Sequence, residues 1–112
     1  MKRVVKNISS KKRLGSRSLS QLFPAVMFWD VNMDMLSLNR DKDFIIPRVL
    51  GRFMDNNEYL DNLEAIYPID EIKSFAINSN EIFGNEIIEH LAKRYHLNPF
   101  DFKKYIDFSQ YA

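Results

Sequence analysis

The sequence predicts an all-α fold: a compact bundle of about five short helices behind a mobile basic N-terminal arm. Three observations predict it. Apolar residues recur at helical spacing in four segments after residue 40. No second run alternates with period two, so an isolated extended stretch has nothing to pair with. Residues 1–21 show no sustained apolar period at all and cannot bury enough surface to offset the entropy of ordering them.

The 112 residues form one domain by size, here 22–112 behind an arm of residues 1–21. The net charge of +1 conceals an asymmetry. Lys2, Arg3, Lys6, Lys11, Lys12, Arg13 and Arg17 face no acid within residues 1–22, so that segment carries +7 and the remainder −6. Basic arms of this kind commonly touch nucleic acid or an acidic partner. The same acid-free, Ser-containing composition suits an organellar transit peptide, although Lys outnumbers Arg and no apolar face forms. The absence of cysteine excludes disulfides, zinc ribbons and thiol catalysis. No apolar run approaches a membrane span and no secretory h-region is present, which predicts a cytoplasmic protein without membrane contact.

Taken in order, structure is expected from Leu22. Pro24 bars a long helix there, and Ala25–Val31 reads as an anchor or a single turn. Trp29, the one tryptophan, is expected to be buried as the centre of the core, with Asp30 accepting a hydrogen bond from backbone or indole. A first helix is predicted over 42–54, with Phe44, Ile45, Val49, Leu50 and Phe53 on one side; Pro47 fits only near its first turn. A second, over 57–67, presents Leu60, Leu63, Ala65, Ile66 and Tyr67 and stops at Pro68. A third, over 69–77, turns Ile72, Phe75 and Ala76 inward. The fourth, over 84–95, repeats Ile87, Ile88, Leu91, Ala92 and Tyr95 opposite Glu86, Glu89, His90, Lys93 and Arg94. Asn98 then caps a last helix with Pro99 in its first position and Phe102, Tyr105 and Ile106 as its buried stripe.

The chemistry-bearing motifs fail on physical grounds. Asp30, Asn32 and Asp34 imitate the opening of a calcium loop, but Met35 stands where glycine must turn the backbone and Asp41 where a bidentate Glu is needed. Glu86 and His90 share a helical face, yet His96 is turned away and no third ligand converges for zinc. No nucleophile elbow, phosphate loop or dinucleotide fingerprint occurs. The reading is therefore a non-enzymatic protein without cofactor or metal.

Leu91–Tyr95, His96-Leu97-Asn98 and Pro99–Lys103 imitate a helix-turn-helix with His96 at the usual glycine, Lys103 and Lys104 being placed to touch phosphate. Its second helix offers little that reads a base edge. Arg48, inside an apolar run, either snorkels to solvent or pairs with an acid such as Asp30 or Asp43.

Phe28-Trp29-Asp30 followed by Phe44-Ile45-Ile46-Pro47-Arg48-Val49-Leu50 resembles a small bacterial family of uncharacterised helical proteins, often encoded beside abortive-infection toxins of nucleotidyltransferase type. The resemblance covers residues 22–106. Pro47 departs from the polar residue expected there, and the second helix lacks the family's preceding glycine and closing Tyr-Gly. The resemblance implies a protein partner of the kind such a toxin represents, with Trp29, Asp30 and Arg48 as partner-binding or structural residues. The alternative is a DNA-binding regulator that uses the basic arm with Lys103 and Lys104.

Overall fold

The computed structural model describes residues 18–111, and among these no strand occurs. The described residues form five helices, α1 (Leu19–Leu22), α2 (Lys42–Gly51), α3 (Asn57–Ile66), α4 (Ile69–Asn78) and α5 (Asn85–Tyr95), with 3-10 turns at Ala25–Phe28 and Met33–Met35 between α1 and α2 and at Pro99–Asp101 and Phe108–Tyr111 after α5. No helix among the described residues is long and apolar enough to cross a membrane.

The centre of the bundle is α2. Residues 45–50 are buried without interruption, and a helix buried on every side belongs to a core rather than a surface. It packs against α3, α4 and the Ala25–Phe28 turn. Pro47 stands at the sixth helical position, so its missing N–H leaves only the carbonyl of Asp43 without a helical partner. Asp43 lies in the exposed first turn, where water can serve that carbonyl. The helix ends at Gly51, three residues before the expected Met54: Arg52 leaves helical backbone at φ −136°, and Met54 and Asp55 then turn the chain through left-handed backbone at φ 56° and 57°.

The next two helices follow their sequence signals closely. Asn56 caps α3 by accepting the Glu58 N–H at 3.0 Å, and Pro68 closes it. Leu60, Leu63 and Tyr67 face the core, as do Ile72 and Ala76 of α4. Gly84 opens α5 at φ 94°, and Ile88, Leu91, Ala92 and Tyr95 are its buried stripe. His96 ends α5 in left-handed backbone at φ 57°, the place glycine commonly takes.

Three expectations are corrected. Residues 18–21, assigned to the arm, form the start of the fold: Leu19 and Leu22 are buried on α1, and Gln21 Oε1 accepts the Ser18 N–H at 3.0 Å. The rest of the expected arm, with Lys2, Arg3, Lys6, Lys11, Lys12, Arg13 and Arg17, lies outside the described residues.

The last helix shrinks to the turn Pro99–Asp101, although Asn98 does cap it by accepting the Phe100 N–H at 3.0 Å. Beyond Phe102 the backbone is held by the side chain of Asn85 instead. Its amide donates to the Ile106 carbonyl at 2.8 Å and accepts the Ile106 N–H at 2.9 Å. Phe102 is buried but Ile106 is exposed. The helix-turn-helix reading falls with that helix.

Trp29, thirdly, is not the core residue. It is 73% exposed, and its neighbours Met27 and Phe28 fill the interior in its place. On a 3-10 turn successive side chains diverge by a third of a turn, so with Met27 and Phe28 both turned inward the next position, Trp29, falls on the opposite side and faces solvent, as Val26 does.

Candidate functional site

Arg48 leaves α2 from the middle of its buried run and is itself only 5% exposed. Its guanidinium grips Asp30 through both edges, Nη1 donating to Oδ1 at 2.6 Å and Nη2 to Oδ2 at 3.1 Å. Nη1 also donates to the Met27 carbonyl at 3.2 Å, and Nε to Glu81 Oε1 at 3.1 Å. The Phe44 ring lies 4.6 Å from the guanidinium carbon and the Phe28 ring 5.9 Å, so the cation is flanked by π faces as well as carboxylates. The planar fork of arginine suits this bidentate geometry, which lysine cannot reproduce. Of the two readings of Arg48, buried pairing holds, with Asp30 and not Asp43 as its partner.

The hydrogen bond from Arg48 holds the Asp30 carboxyl below its ordinary range, and the nearby charge of Arg52 adds to the effect. The same bond raises the Arg48 pKa against the cost of burial. Both groups are therefore ionised throughout the neutral range. The lock ties three distant parts of the chain together: the Ala25–Phe28 turn, α2 and the 79–84 loop. Gly51 permits the third connection. A Cβ there would come within 2.8 Å of the Glu81 carbonyl oxygen, closer than packed atoms tolerate.

This lock holds a stretch of chain that turns some side chains in and others out. Met27 and Phe28 are buried, while Val26 and Trp29 are 60% and 73% exposed. Two concavities flank the stretch. One, of about 390 Å³, is lined by Phe28, Trp29, Val31, Met33 and Asp34 among others. The other, of about 280 Å³, is lined by Val26, Met27, Gly51, Arg52, Met54 and Ile87.

Residues 23–76 match a family of unknown function, DUF6922. The DUF6922-matched segment contains Trp29, both partners of the Asp30–Arg48 pair, and all of α2 and α3, and it ends before Glu81. No curated protein and no solved structure matches the chain.

Three of the calcium-like run's side chains are engaged elsewhere. Asp30 holds Arg48, Asn32 Oδ1 accepts the Asp34 N–H at 3.0 Å, and Asp41 holds Arg40 and the Ser37 N–H. No group of three acidic, His or Cys side chains among the described residues is arranged to hold a metal. His90 pairs with Asn57 at 2.9 Å and rests its ring 5.1 Å from Phe53; Glu86 is not its partner. Lys103 and Lys104 are exposed, with Lys104 5.7 Å over the Phe83 ring.

A second ion network lies between α3 and α5. Arg94 donates to Glu64 and Asp61, each at 2.6 Å, and the Tyr95 hydroxyl donates to Glu64 at 2.7 Å. This network staples two helices and borders neither concavity.

Sequence reasoning named Trp29, Asp30 and Arg48 but missed Glu81, Arg52 and Met54. Glu81 sits in a loop without periodicity, 33 residues from Arg48. Its available signal was Gly51, a glycine near the end of a helix whose interior disfavours it.

Proposed function

We propose that this chain is a non-enzymatic interaction protein that docks a protein partner through Val26 and Trp29 beside the Asp30–Arg48 lock. The observation that carries the reading is the tryptophan: a large aromatic side chain left 73% exposed on backbone that the ion pair of Asp30 with the buried Arg48 fixes in place. Tryptophan is enriched among the residues that dominate binding energy, and a fixed anchor loses little entropy on docking. The nearest carboxylate, Asp30, is already held by Arg48, so the tryptophan itself offers a partner apolar contact and shape.

The partner class that the sequence resemblance names is a bacterial nucleotidyltransferase-type toxin, which the chain would hold inactive in the cytoplasm. The test is co-expression with such a protein encoded beside it. The reading expects the chain to relieve toxicity and to co-purify, and Trp29→Ala to lose both while remaining folded. A neighbouring protein that is harmless alone, or a complex indifferent to Trp29→Ala, defeats the reading. Salt separates it from DNA binding: phosphate contacts weaken steeply as salt rises, whereas apolar docking does not.

A further inference from the structure

We infer that the groove lined by Val26, Met27, Gly51, Arg52, Met54 and Ile87 receives a bulky apolar side chain of a partner protein segment that carries a carboxylate beside it. The inference rests on the docking reading above and adds the chemistry of what docks.

Size is the first argument. At about 280 Å³ the groove lies just below the usual range for whole small-molecule ligands, and its lining is aliphatic or thioether apart from Arg52. It suits one side chain of a peptide. Gly51 contributes no side chain to the lining, and none can be placed there without a collision at the Glu81 backbone.

Charge is the second argument. The described residues include four arginines. Arg40, Arg48 and Arg94 each hold at least one carboxylate, and Arg52 holds none. Arg52 is half-buried at the groove wall, next to the Asp30–Arg48 lock whose acid already has its partner. An unpaired guanidinium beside an apolar slot selects an acid adjacent to the inserted side chain, through the bidentate geometry arginine favours.

The third wall is built at a conformational cost. Met54 and Asp55 are consecutive non-glycine residues in left-handed backbone, and the turn they form leaves Met54 55% exposed at the groove. Strain of this sort persists where surrounding structure enforces it, often at binding sites. A flexible, polarizable methionine there adapts to differently shaped apolar guests.

The probe is a random 12-residue peptide library displayed on phage and selected on the full chain, followed by the enriched peptides in synthetic form. Enriched peptides are expected to share a Leu, Phe, Met or Trp within three positions of Asp or Glu. Arg52→Glu should weaken them at least tenfold with an unchanged melting temperature, and a peptide whose acid is replaced by Lys should regain affinity for that variant. Val26→Glu should abolish binding by blocking the slot. If Arg52→Glu alters the melting temperature, Arg52→Gln replaces it with the same expected loss.

Failure to enrich any peptide, enrichment of peptides without an acid, or equal binding to Arg52→Glu overturns the inference. So does concentration-dependent dimerisation abolished by Val26→Glu, which would make a second copy the occupant. Peptide or partner binding lost in Trp29→Ala but intact in Arg52→Glu overturns the groove alone and leaves the docking reading standing. Loss in Arg52→Glu with full binding to Trp29→Ala supports the groove and defeats the role given to the tryptophan.

Discussion

Replacing Trp29 should disturb binding far more than folding, whereas replacing its neighbour Phe28 should do the reverse. An enclosed tryptophan buries about 150–250 Å², and with 73% of Trp29 exposed roughly a quarter of that, about 40–70 Å², is covered. At about 25 cal/mol per Å² this cover contributes about 1–2 kcal/mol, an upper bound since the unfolded chain also shields some surface. Phe28 is 1% exposed, and its truncation to Ala should cost about 3–5 kcal/mol. A domain of this size loses about 4–8 °C of melting temperature per kcal/mol. Thermal unfolding followed by circular dichroism should therefore place Trp29→Ala at most about 4–16 °C below the parent and Phe28→Ala about 12–40 °C below it, always the lower of the two. Acrylamide should quench the native protein's tryptophan emission almost as readily as that of a free indole. A Trp29→Ala variant less stable than Phe28→Ala, or a native emission shielded from quencher, would refute the reasoning at its base.

Gly51→Ala should destabilise the protein even though alanine is the better helix former by about 0.5–1 kcal/mol, because its Cβ drives the Glu81 backbone away from Arg48; a raised melting temperature would contradict that. Burial, reinforced by nearby carboxylates, raises the pKa values of Tyr67 and Tyr95 above the ordinary 10.0. The stability this gives is intact below pH 10 and is lost as pH rises further, since only the unfolded chain then gives up those protons readily. Absorbance at 295 nm should therefore show both phenols ionising only together with alkaline unfolding. A deletion ending at residue 22 removes buried Leu19 and Leu22, and it should melt more than ten degrees below a deletion ending at residue 17. Equal melting temperatures would return those residues to the arm.

The helices after residue 40 were legible because each carries its own local signature: an apolar repeat, a cap such as Asn56, or a stop such as Pro68. Arg48 was legible in part. A cation within an apolar run needs either a route to water or a partner, but only the fold decides which, and Glu81 comes from a loop that leaves no pattern. The outward turn of Trp29 was not legible, because hydrophobicity ranks it with Met27 and Phe28 as a core residue, while the 3-10 turn that faces those two inward carries the next position outward. The C-terminal error has a similar origin. Asn98 and Pro99 mark where a helix or a single 3-10 turn begins, and neither tells how far it runs. The Asn85 side chain then supplies the Ile106 backbone with both of the bonds a helix would have given.

The central claim is that Trp29 is a fixed, exposed anchor for a protein partner, and the chain's single tryptophan allows it to be watched directly. Fluorine NMR of protein labelled with 5-fluorotryptophan gives one resonance, free of background from an unlabelled partner. In the free protein it should show the solvent isotope shift of an exposed indole. Titration with the neighbouring nucleotidyltransferase-type protein should move and broaden that resonance and abolish the isotope shift. A complex that forms while the resonance and its isotope shift stay unchanged would contradict the account.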